Sequence, residues 1–415
     1  MAGQGGSRAA VVGAGIVGLS VAWFLQEEGF EVTVFDARGV AGGASAGNAG
    51  WITPGMVSPL PEPGMVGYAL RSLVRRDSPL RVTPAALPAT ARFLASFALN
   101  CTQARWQRGV GSLAGICALA LSSYDLLERG GVTAELWPSP IVMAFEDAAE
   151  AVPVEHELRV IGEAGGALDV TELSQRELRE ERPVLSARAR HGLKLEGQRY
   201  LQPLAYTHSL AESFRSRGGQ ITSGARIDRV ESASGGKLTV IRSGERTAFD
   251  VAVLASGAWL SQLGKSAGVR RPLAAGRGYS FTVATAAPLA GPLYLPSLRI
   301  ACTPAPEGMR LAGTMEFRSA DAPLDRRRIE AIVRSAKDYL EGVDWASISG
   351  LWVGPRPVTA DGLPLIGATR QAGVYVAGGH GMWGMTLGPA TGRLLAEFIT
   401  TGEPPAALCH FDPCR

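Results

Sequence analysis

The chain has 415 residues, of which 46% are hydrophobic and 19% charged, and its formal net charge at pH 7 is +3. This length gives room for a large core and two domains, and the composition excludes a disordered chain. The small net charge argues against nucleic acid as a main partner. The polar start, MAGQGGSR, does not resemble a signal peptide, and no apolar run reaches the length of a spanning helix. We therefore expect a cytoplasmic chain.

Cysteine usage points to the same compartment. The five cysteines are scattered and odd in number, which favours free thiols in a reducing environment over a disulfide framework. Cys409, His410 and Cys414 lie close together, but three ligands on a terminal segment without a second cluster do not make a zinc site. We predict no metal.

The stretch AAVVGAGIVGLSVAWFLQEEGFEVTVFD (9–36) predicts a strand, a glycine turn, a helix and a second strand. Gly13, Gly15 and Gly18 have the G-x-G-x-x-G spacing. In this motif the glycines allow the tight turn, the approach of a pyrophosphate and the close packing of helix on strand. The helix directs its free N–H groups and its positive dipole end at the phosphates. Asp36 ends the second strand, where its carboxylate is placed for a ribose hydroxyl pair. The pattern predicts a dinucleotide site, and the acid suits NAD and FAD equally.

Further strands of a dinucleotide domain are expected elsewhere in the chain. Residues 203–218 read as a helix, QITSG as a strand, and VAVLAS as a buried strand that runs into Ser256 and Gly257. GVYVAGGH (373–380) reads as another buried strand before a helix at 386–400. We therefore predict an α/β fold (α+β overall) with a discontinuous Rossmann-like domain and an inserted antiparallel-sheet domain. The predicted FAD-binding domain comprises 7–60, 201–262 and 346–405, and the predicted substrate or cap domain comprises 61–200 and 263–345.

Two further segments favour FAD over NAD. The segment GVAGGASAGNAGWITPG (39–55) has small and polar residues suited to wrapping a pyrophosphate and the edge of a flavin, although a flexible surface loop is the alternative. The segment GGHGMWGMTLGPATG (378–392) opens a second helix with a glycine-rich turn. Such a helix N-terminus stabilises negative charge on a reduced flavin ring, and an NAD enzyme has no need of it.

These motifs together resemble the FAD-dependent D-amino-acid oxidase superfamily, and within it the bacterial D-amino acid dehydrogenases. The resemblance rests on the fingerprint, the SAGNAG run at 45–50, Gly278-Tyr279-Ser280, MRLAG at 309–313 and GPRPVTADGLPLIG at 354–367. It implies oxidative deamination of an amino acid, with hydride transfer from the α-carbon to flavin N5 and release of a 2-oxo acid and ammonia. A secondary amine or glycine as substrate, or a non-catalytic flavoprotein subunit, remains an alternative.

The resemblance also assigns roles to single residues. Arg356 is expected to hold the substrate carboxylate by paired hydrogen bonds, the alternative being a structural pair with Asp361. Tyr279 is expected to help orient the substrate, with a core position as the alternative, and His380 to tune the flavin or line the site. The predicted FAD contacts are Gly13, Gly15, Ile16, Val17, Gly18, Asp36, Ala37, Arg38, Ala44, Ser45, Asn48, Ala49, Gly50, Ile227, Ser256, Gly257, Gly381, Gly384, Met385 and Thr386.

The remaining expectations concern the pocket walls and the partners. Met382, Trp383 and Met385 are candidates for the pocket wall, with ordinary packing as the alternative. Arg277 and Arg299 are weaker candidates for substrate contact, and a surface position is expected for each. No cysteine lies in 346–386, so we predict noncovalent FAD. The electron acceptor is left open among oxygen, a quinone and a partner protein. A basic, apolar stretch within 61–110 allows peripheral contact with the inner face of a membrane.

Overall fold

The computed structural model describes residues 6–65, 67, 80–82 and 87–415. Strands and helices alternate at first and then give way to a run of strands. The strands are β1 (Arg8–Val12), β2 (Glu31–Asp36), β3 (Trp51–Ile52), β4 (Leu80–Val82), β5 (Leu136–Pro138), β6 (Ile141–Phe145), β7 (Val170–Ser174), β8 (His191–Leu195), β9 (Arg199–Leu201), β10 (Gln220–Ser223), β11 (Arg229–Ser232), β12 (Leu238–Arg242), β13 (Glu245–Phe249), β14 (Val251–Leu254), β15 (Leu273–Thr285), β16 (Leu293–Leu295), β17 (Ile300–Ala305), β18 (Gly308–Phe317), β19 (Val343–Thr359), β20 (Leu365–Ala368) and β21 (Val374–Gly378).

The helices are spread over both halves of the chain. They are α1 (Ile16–Glu27), α2 (Leu87–Asn100), α3 (Gln103–Ala118), α4 (Ala120–Arg129), α5 (Ala148–Gly165), α6 (Gln175–Glu181), α7 (Pro203–Ser216), α8 (Leu260–Gly264), α9 (Arg326–Ala336) and α10 (Gly384–Thr401).

One sheet is of the Rossmann type. Its strand order is β10-β2-β1-β14-β21-β20, and all neighbours are parallel except β20 and β21. The strands come from three separate parts of the chain, so the predicted discontinuous architecture is confirmed. Helices α1 and α10 cross beside this sheet with their backbones nearly touching. A methyl group added at Gly392 would lie 2.6 Å from the carbonyl carbon of Ser20.

The second sheet is larger and mostly antiparallel. Its path is β19-β15-β18-β17-β16-β6-β8-β7, with β4 paired to β18. It takes β6, β7 and β8 from residues 61–200, the first part of the predicted substrate or cap domain. It also includes β19, which begins before the predicted boundary at residue 346 and extends well past it. The predicted domain boundaries remain a prediction, but residues 346–359 lie in this sheet and not in the Rossmann sheet.

Within the part of the chain that the structure describes, one helical stretch is long and apolar enough to cross a membrane, by length and composition alone. It covers residues 103–129, which the sequence reading passed over, and it consists of α3 and α4. Leu113, Ile116, Tyr124 and Leu127 from this stretch are buried in the main core beside the Rossmann sheet. One face of the stretch is therefore packed in the core. The predicted membrane-contact stretch falls largely on residues 66 and 68–79, which lie outside the described residues, so membrane contact stays a prediction.

Candidate active site

A cleft of about 340 Å³ opens at the carboxyl ends of the parallel strands. In open α/β sheets, ligands bind at this edge, where the strand order reverses. Here β1 ends at Val12 and β14 ends at Leu254, next to each other, and β21 adjoins β14. The cleft then continues to residues 355–357 of β19, so it joins the Rossmann sheet to the second sheet.

The glycine fingerprint forms the floor of the cleft. Gly13 has φ +124°, and a Cβ there would lie 2.4 Å from the carbonyl oxygen of Ala255. A Cβ on Gly18 would lie 1.9 Å from the carbonyl oxygen of Gly13. A residue larger than glycine at either position would therefore clash with the backbone. This is the close packing that the G-x-G-x-x-G spacing predicts.

Two polar side chains hold the fingerprint turn in place. The Asp36 carboxylate accepts hydrogen bonds from the backbone N–H groups of Ala14, Arg38 and Gly39, at 2.7, 2.7 and 2.9 Å. The Ser45 hydroxyl accepts from the N–H of Ile16 at 3.1 Å, at the start of α1. No acidic side chain lies in the first turn of α1, so its positive end stays available to an anion.

Most of the predicted contacts meet at this cleft. Among the predicted FAD contacts, the following line it: Gly13, Gly15, Ile16, Val17, Gly18, Asp36, Ala37, Arg38, Ala44, Ser45, Asn48, Ile227, Ser256, Gly257, Gly381, Gly384 and Met385. Their contact with FAD itself stays a prediction.

Three predicted contacts lie outside the cleft lining and bond to other parts of the protein. The carbonyl of Ala49 accepts a hydrogen bond from Thr303 at 2.7 Å, and the N–H of Gly50 donates to Asn48 at 2.8 Å. Thr386 is 1% exposed, and its hydroxyl donates to the carbonyl of Trp51 at 3.1 Å. Because their polar groups already have partners in the protein, we assign them to the support of the loop at 44–50 and of α10.

The second glycine turn brings the start of α10 to the cleft. Gly379 and Gly381 have φ of +73° and +55°, and the N–H of Gly381 donates to the carbonyl of Pro357 at 2.9 Å. The first turn of α10 carries no acidic side chain. The turn therefore presents a second positive helix end to the cleft, which Arg356 also lines.

His380 lines the cleft but is almost fully buried. It is 4% exposed, and its Nε2 lies 2.9 Å from the hydroxyl of Thr391. Burial lowers the pKa of the imidazole to about 4, so it is neutral at physiological pH. It therefore supplies no positive charge to a reduced flavin, and its place in the cleft wall is the part of the prediction that the geometry supports.

The buried histidine makes stability depend on pH. The pKa of His380 falls from 6.5 to about 4 on folding, so the unfolded chain binds more protons within this window. Stability contributed by His380 is lost as the pH falls from 6.5 toward 4, by roughly 3 kcal/mol in total. Burial raises the pKa of Glu157 to about 7, so the contribution of Glu157 to stability changes with pH in the opposite direction. We therefore compare the unfolding free energies of wild type and His380→Gln near pH 7 and near pH 5, and expect the variant to gain relative stability at the lower pH. A pH-independent difference would contradict this.

Arg356 is a largely buried cation without a carboxylate partner among the described residues. Its guanidinium donates to the carbonyl of Thr314 at 3.0 Å and lies over Gly278, where a Cβ would be 2.2 Å from its Cζ. Burial lowers the pKa of Arg356 to about 10, and it remains protonated at neutral pH. Asp361 pairs with Arg415 at 3.1 Å, so the alternative of an Arg356–Asp361 pair is wrong.

Tyr279 does not line the cleft. It is fully buried in the core of the second sheet, and its hydroxyl donates to Glu316 at 2.7 Å. Burial raises the pKa of its phenol to about 12. The geometry thus supports the core position that the sequence left as the alternative, because successive residues of β15 face opposite sides of the sheet and Gly278 takes the side of Arg356.

Of the two weaker arginine candidates, Arg277 differs from the expected surface position and Arg299 does not. Arg277 is not a surface charge: it is 1% exposed, next to Glu316. Arg299 is partly exposed and pairs with Glu62 at 2.6 Å. Neither lines the cleft, and neither is shown in contact with a substrate position.

The candidates for the pocket wall divide into two groups. Met385 is 2% exposed and lines the cleft. Met382 packs against a separate apolar cluster around Phe93 and Met315, and the Trp383 indole donates to the carbonyl of Ser58 at 2.7 Å. Met382 and Trp383 therefore fit the alternative of ordinary packing.

Sequence reading missed a group at the nucleotide end of the cleft. Arg38, which it included, forms an ion pair with Asp321 and lies over the Trp259 ring, 4.2 Å from its centroid. The Trp259 indole donates to Asp321 at 3.2 Å, and all three line the cleft. Trp259 directly follows the strand-end motif Ser256-Gly257-Ala258, so its place near the cleft could have been predicted from that motif. Asp321 carries no local signal.

The residues present fit a bound FAD. The cleft is lined by glycines, and at Gly13 and Gly18 neighbouring backbone atoms occupy the space that a Cβ would need. The N-termini of α1 and α10 face the cleft, and neither helix carries an acidic side chain in its first turn. The hydroxyl of Ser256 is buried there without a hydrogen-bond partner among the described residues. No cysteine lines the described cleft, and the His380 imidazole is hydrogen-bonded to Thr391. Both observations support the prediction that FAD is held noncovalently.

Comparisons with known proteins agree with this geometry. The sequence pattern of the family described as "FAD dependent oxidoreductase" (DAO) matches residues 8–398. A D-amino acid dehydrogenase of Methylobacterium sp. (strain 4-46) is 29% identical, over 96% of this chain and 97% of its own length. The fold is similar to glycine oxidase from Geobacillus kaustophilus (TM-score 0.75, 22% identity, 99% of both chains). It is also similar to iminodiacetate oxidase from Chelativorans sp. BNC1 (TM-score 0.73, 20% identity, 98% of this chain and 99% of the other). The chain is an enzyme that uses FAD, and it belongs to the family of FAD dependent oxidoreductases.

Proposed function

We propose that this oxidoreductase deaminates an amino acid of the D series, releasing the 2-oxo acid and ammonia. The observation that carries the proposal is Arg356: a largely buried guanidinium in the wall of the cleft, whose hydrogen-bond partner among the described residues is the backbone carbonyl of Thr314. A buried charge without a counter-ion is costly, and a substrate carboxylate supplies that counter-ion. The planar guanidinium matches a carboxylate with two parallel hydrogen bonds.

The protein's part in the reaction is to position the substrate. Bound FAD supplies the two-electron oxidation of the α-carbon–hydrogen bond. Arg356 fixes the carboxylate, which restricts the orientation of the α-carbon and converts a loose encounter into an ordered one. The two helix ends place positive potential along the cleft. Among the described cleft-lining residues, the side chains of a type that could act as a general base already have partners in the protein. Asp36 accepts hydrogen bonds from three backbone N–H groups, Asp321 pairs with Arg38, and the His380 imidazole is hydrogen-bonded to Thr391. We therefore propose that the substrate reacts as the neutral amine.

The relatives support the substrate class. The curated relative is named D-amino acid dehydrogenase, and the proposed D stereochemistry rests on that name together with the sequence resemblance. The substrate side chain and the electron acceptor (oxygen, a quinone or a partner protein) are left open in the proposal.

The test is anaerobic mixing of the purified protein with D- and L-amino acids, glycine, sarcosine and prolines, followed by flavin absorbance in the visible. Bleaching by D-amino acids and not by their L-enantiomers is the expected result. Bleaching by sarcosine or glycine alone would replace the proposal with a secondary-amine or glycine oxidoreductase. A yellow protein that no compound bleaches would favour a non-catalytic flavoprotein subunit.

A further inference from the structure

A fully buried charged cluster lies on the opposite side of the second sheet from Arg356. Arg277 and Glu316 are each 1% exposed, and Tyr279 is 0% exposed. The Tyr279 hydroxyl donates to Glu316 Oε2 at 2.7 Å, and Arg277 Nη1 lies 3.7 Å from the same oxygen. We refer to these three residues as the rear cluster.

Burying the charges of the rear cluster in the core costs free energy. Two charges removed from water lose hydration that their mutual attraction seldom repays, and apolar residues of similar volume often serve stability as well or better. Around the cluster the core contains residues such as Phe281, Val283 and Leu311. The charges therefore call for an explanation other than filling space.

The strands that carry the rear cluster also form the seat of Arg356. On β15, Gly278 lies between Arg277 and Tyr279 and faces the other way, under the Arg356 guanidinium. The register of β15 against β18 shifts between Arg277 and Tyr279, which is a local bulge.

On β18, the residue that holds Arg356 has a strained backbone. Thr314 has φ +60°, uncommon for a residue other than glycine, and its carbonyl accepts the Arg356 hydrogen bond at 3.0 Å. Glu316 follows two residues later. Such strain persists only where surrounding contacts over-determine it, and the Tyr279–Glu316 bond ties the two strands together at this point.

The rear cluster also reaches the nucleotide end of the cleft. Arg277 Nη2 donates to the carbonyls of Ala322 and Pro323, at 2.5 and 3.1 Å. Those residues directly follow Asp321, which lines the cleft and pairs with Arg38.

We propose that Arg277, Tyr279 and Glu316 are positioning residues, which hold the bulge and the Thr314 carbonyl so that Arg356 presents its guanidinium to the substrate carboxylate. The inference rests on the proposed function, because it assumes that Arg356 binds a carboxylate. The geometry of the clamp would then depend on groups that never touch the substrate.

The test uses the FAD-bound protein and benzoate, a carboxylate without an oxidisable amine, titrated by the change in flavin absorbance. Tyr279→Phe removes one oxygen and leaves the ring. We expect it to weaken benzoate binding by roughly 10-fold, as the loss of a buried hydrogen bond to a charged group would, with FAD content unchanged. Glu316→Gln is expected to act in the same direction. Tyr339→Phe is the matched control, since Tyr339 is buried in the same core but its ring lies beside Arg188, with the guanidinium carbon 4.9 Å from the ring centroid.

Two further variants make the result decisive. Gly278→Ala places a methyl group against Arg356 directly and should weaken benzoate binding at least as much as Tyr279→Phe. If Tyr279→Phe leaves benzoate affinity at the level of Tyr339→Phe while Arg356→Ala abolishes it, the rear cluster is structural only and the inference is overturned. If Arg356→Ala itself leaves benzoate affinity unchanged, the proposed carboxylate clamp fails instead. If Glu316→Gln does not fold, Tyr279→Phe and Gly278→Ala decide alone.

Discussion

Replacing Arg356 with alanine is expected to lower kcat/KM by roughly 100- to 1,000-fold while the purified protein keeps its FAD. The substrate carboxylate would enter a cleft that has lost its counter-ion, and leaving a buried charge unpaired costs roughly 3–4 kcal/mol. Arg356 makes one described hydrogen bond within the protein, to Thr314, so its removal leaves no buried carboxylate behind. The loss should therefore appear in catalysis and not in folding.

Steady-state kinetics, bound flavin and the unfolding temperature check this expectation together. Arg356→Lys should recover part of the activity, because lysine keeps the charge but cannot form the paired hydrogen bonds. Arg182→Ala is a matched control: Arg182 is also buried, pairs with Glu181, and lies away from the cleft, so its loss should lower stability and spare kcat/KM. An Arg356→Ala protein that is colourless or unfolded would assign Arg356 to structure.

Gly18→Ala is expected to abolish FAD binding. The added methyl group would lie 1.9 Å from the carbonyl oxygen of Gly13, a contact that two backbone segments cannot relieve without moving apart. Such overpacking typically costs 1–3 kcal/mol or more. Here it would also displace the N-terminus of α1 from the floor of the cleft. The purified variant should therefore be colourless and show no binding of added FAD in a fluorescence titration.

Gly111→Ala is the corresponding control within a helix. Gly111 lies in α3, and a methyl group there meets nothing within 4 Å. The substitution should leave FAD binding intact and raise stability by up to about 1 kcal/mol, since alanine favours helix more than glycine does. If Gly18→Ala bound FAD as tightly as Gly111→Ala, the fingerprint would not form the cofactor site.

The FAD-binding part of the site could be predicted from the sequence because each motif that marks it lies within one short segment. The turn from β1 to α1, its glycines and the acid at the end of β2 lie within 9–36, so one short segment defines its own geometry. The second glycine turn, before α10, is equally local. The structure brings these segments to the same edge of the sheet because parallel strands place their carboxyl ends together.

The substrate half depended on the tertiary structure. Whether Tyr279 or Gly278 faces Arg356 is decided by the register in which β15 pairs with β19, and a shift of one residue would turn every side chain of β15 to the other face. The burial of Arg277 follows from its pairing with Glu316 on β18, which periodicity on β15 alone does not show. Asp321 meets Arg38 across a large separation in sequence, and no local pattern marks it.

The sequence by itself therefore determined a discontinuous Rossmann-like fold and an FAD fingerprint, since their motifs are contiguous residues with a set spacing. The choice of Arg356 as the proposed carboxylate clamp came from the family resemblance. Only the tertiary structure decided that Arg356 has no carboxylate partner among the described residues, that Asp361 belongs to Arg415, and that Tyr279 is in the core. The reason is physical: backbone conformation and helix or strand period are written in neighbouring residues. The partner of a buried charge depends on which strands are neighbours in the sheet, and these can be far apart in the sequence.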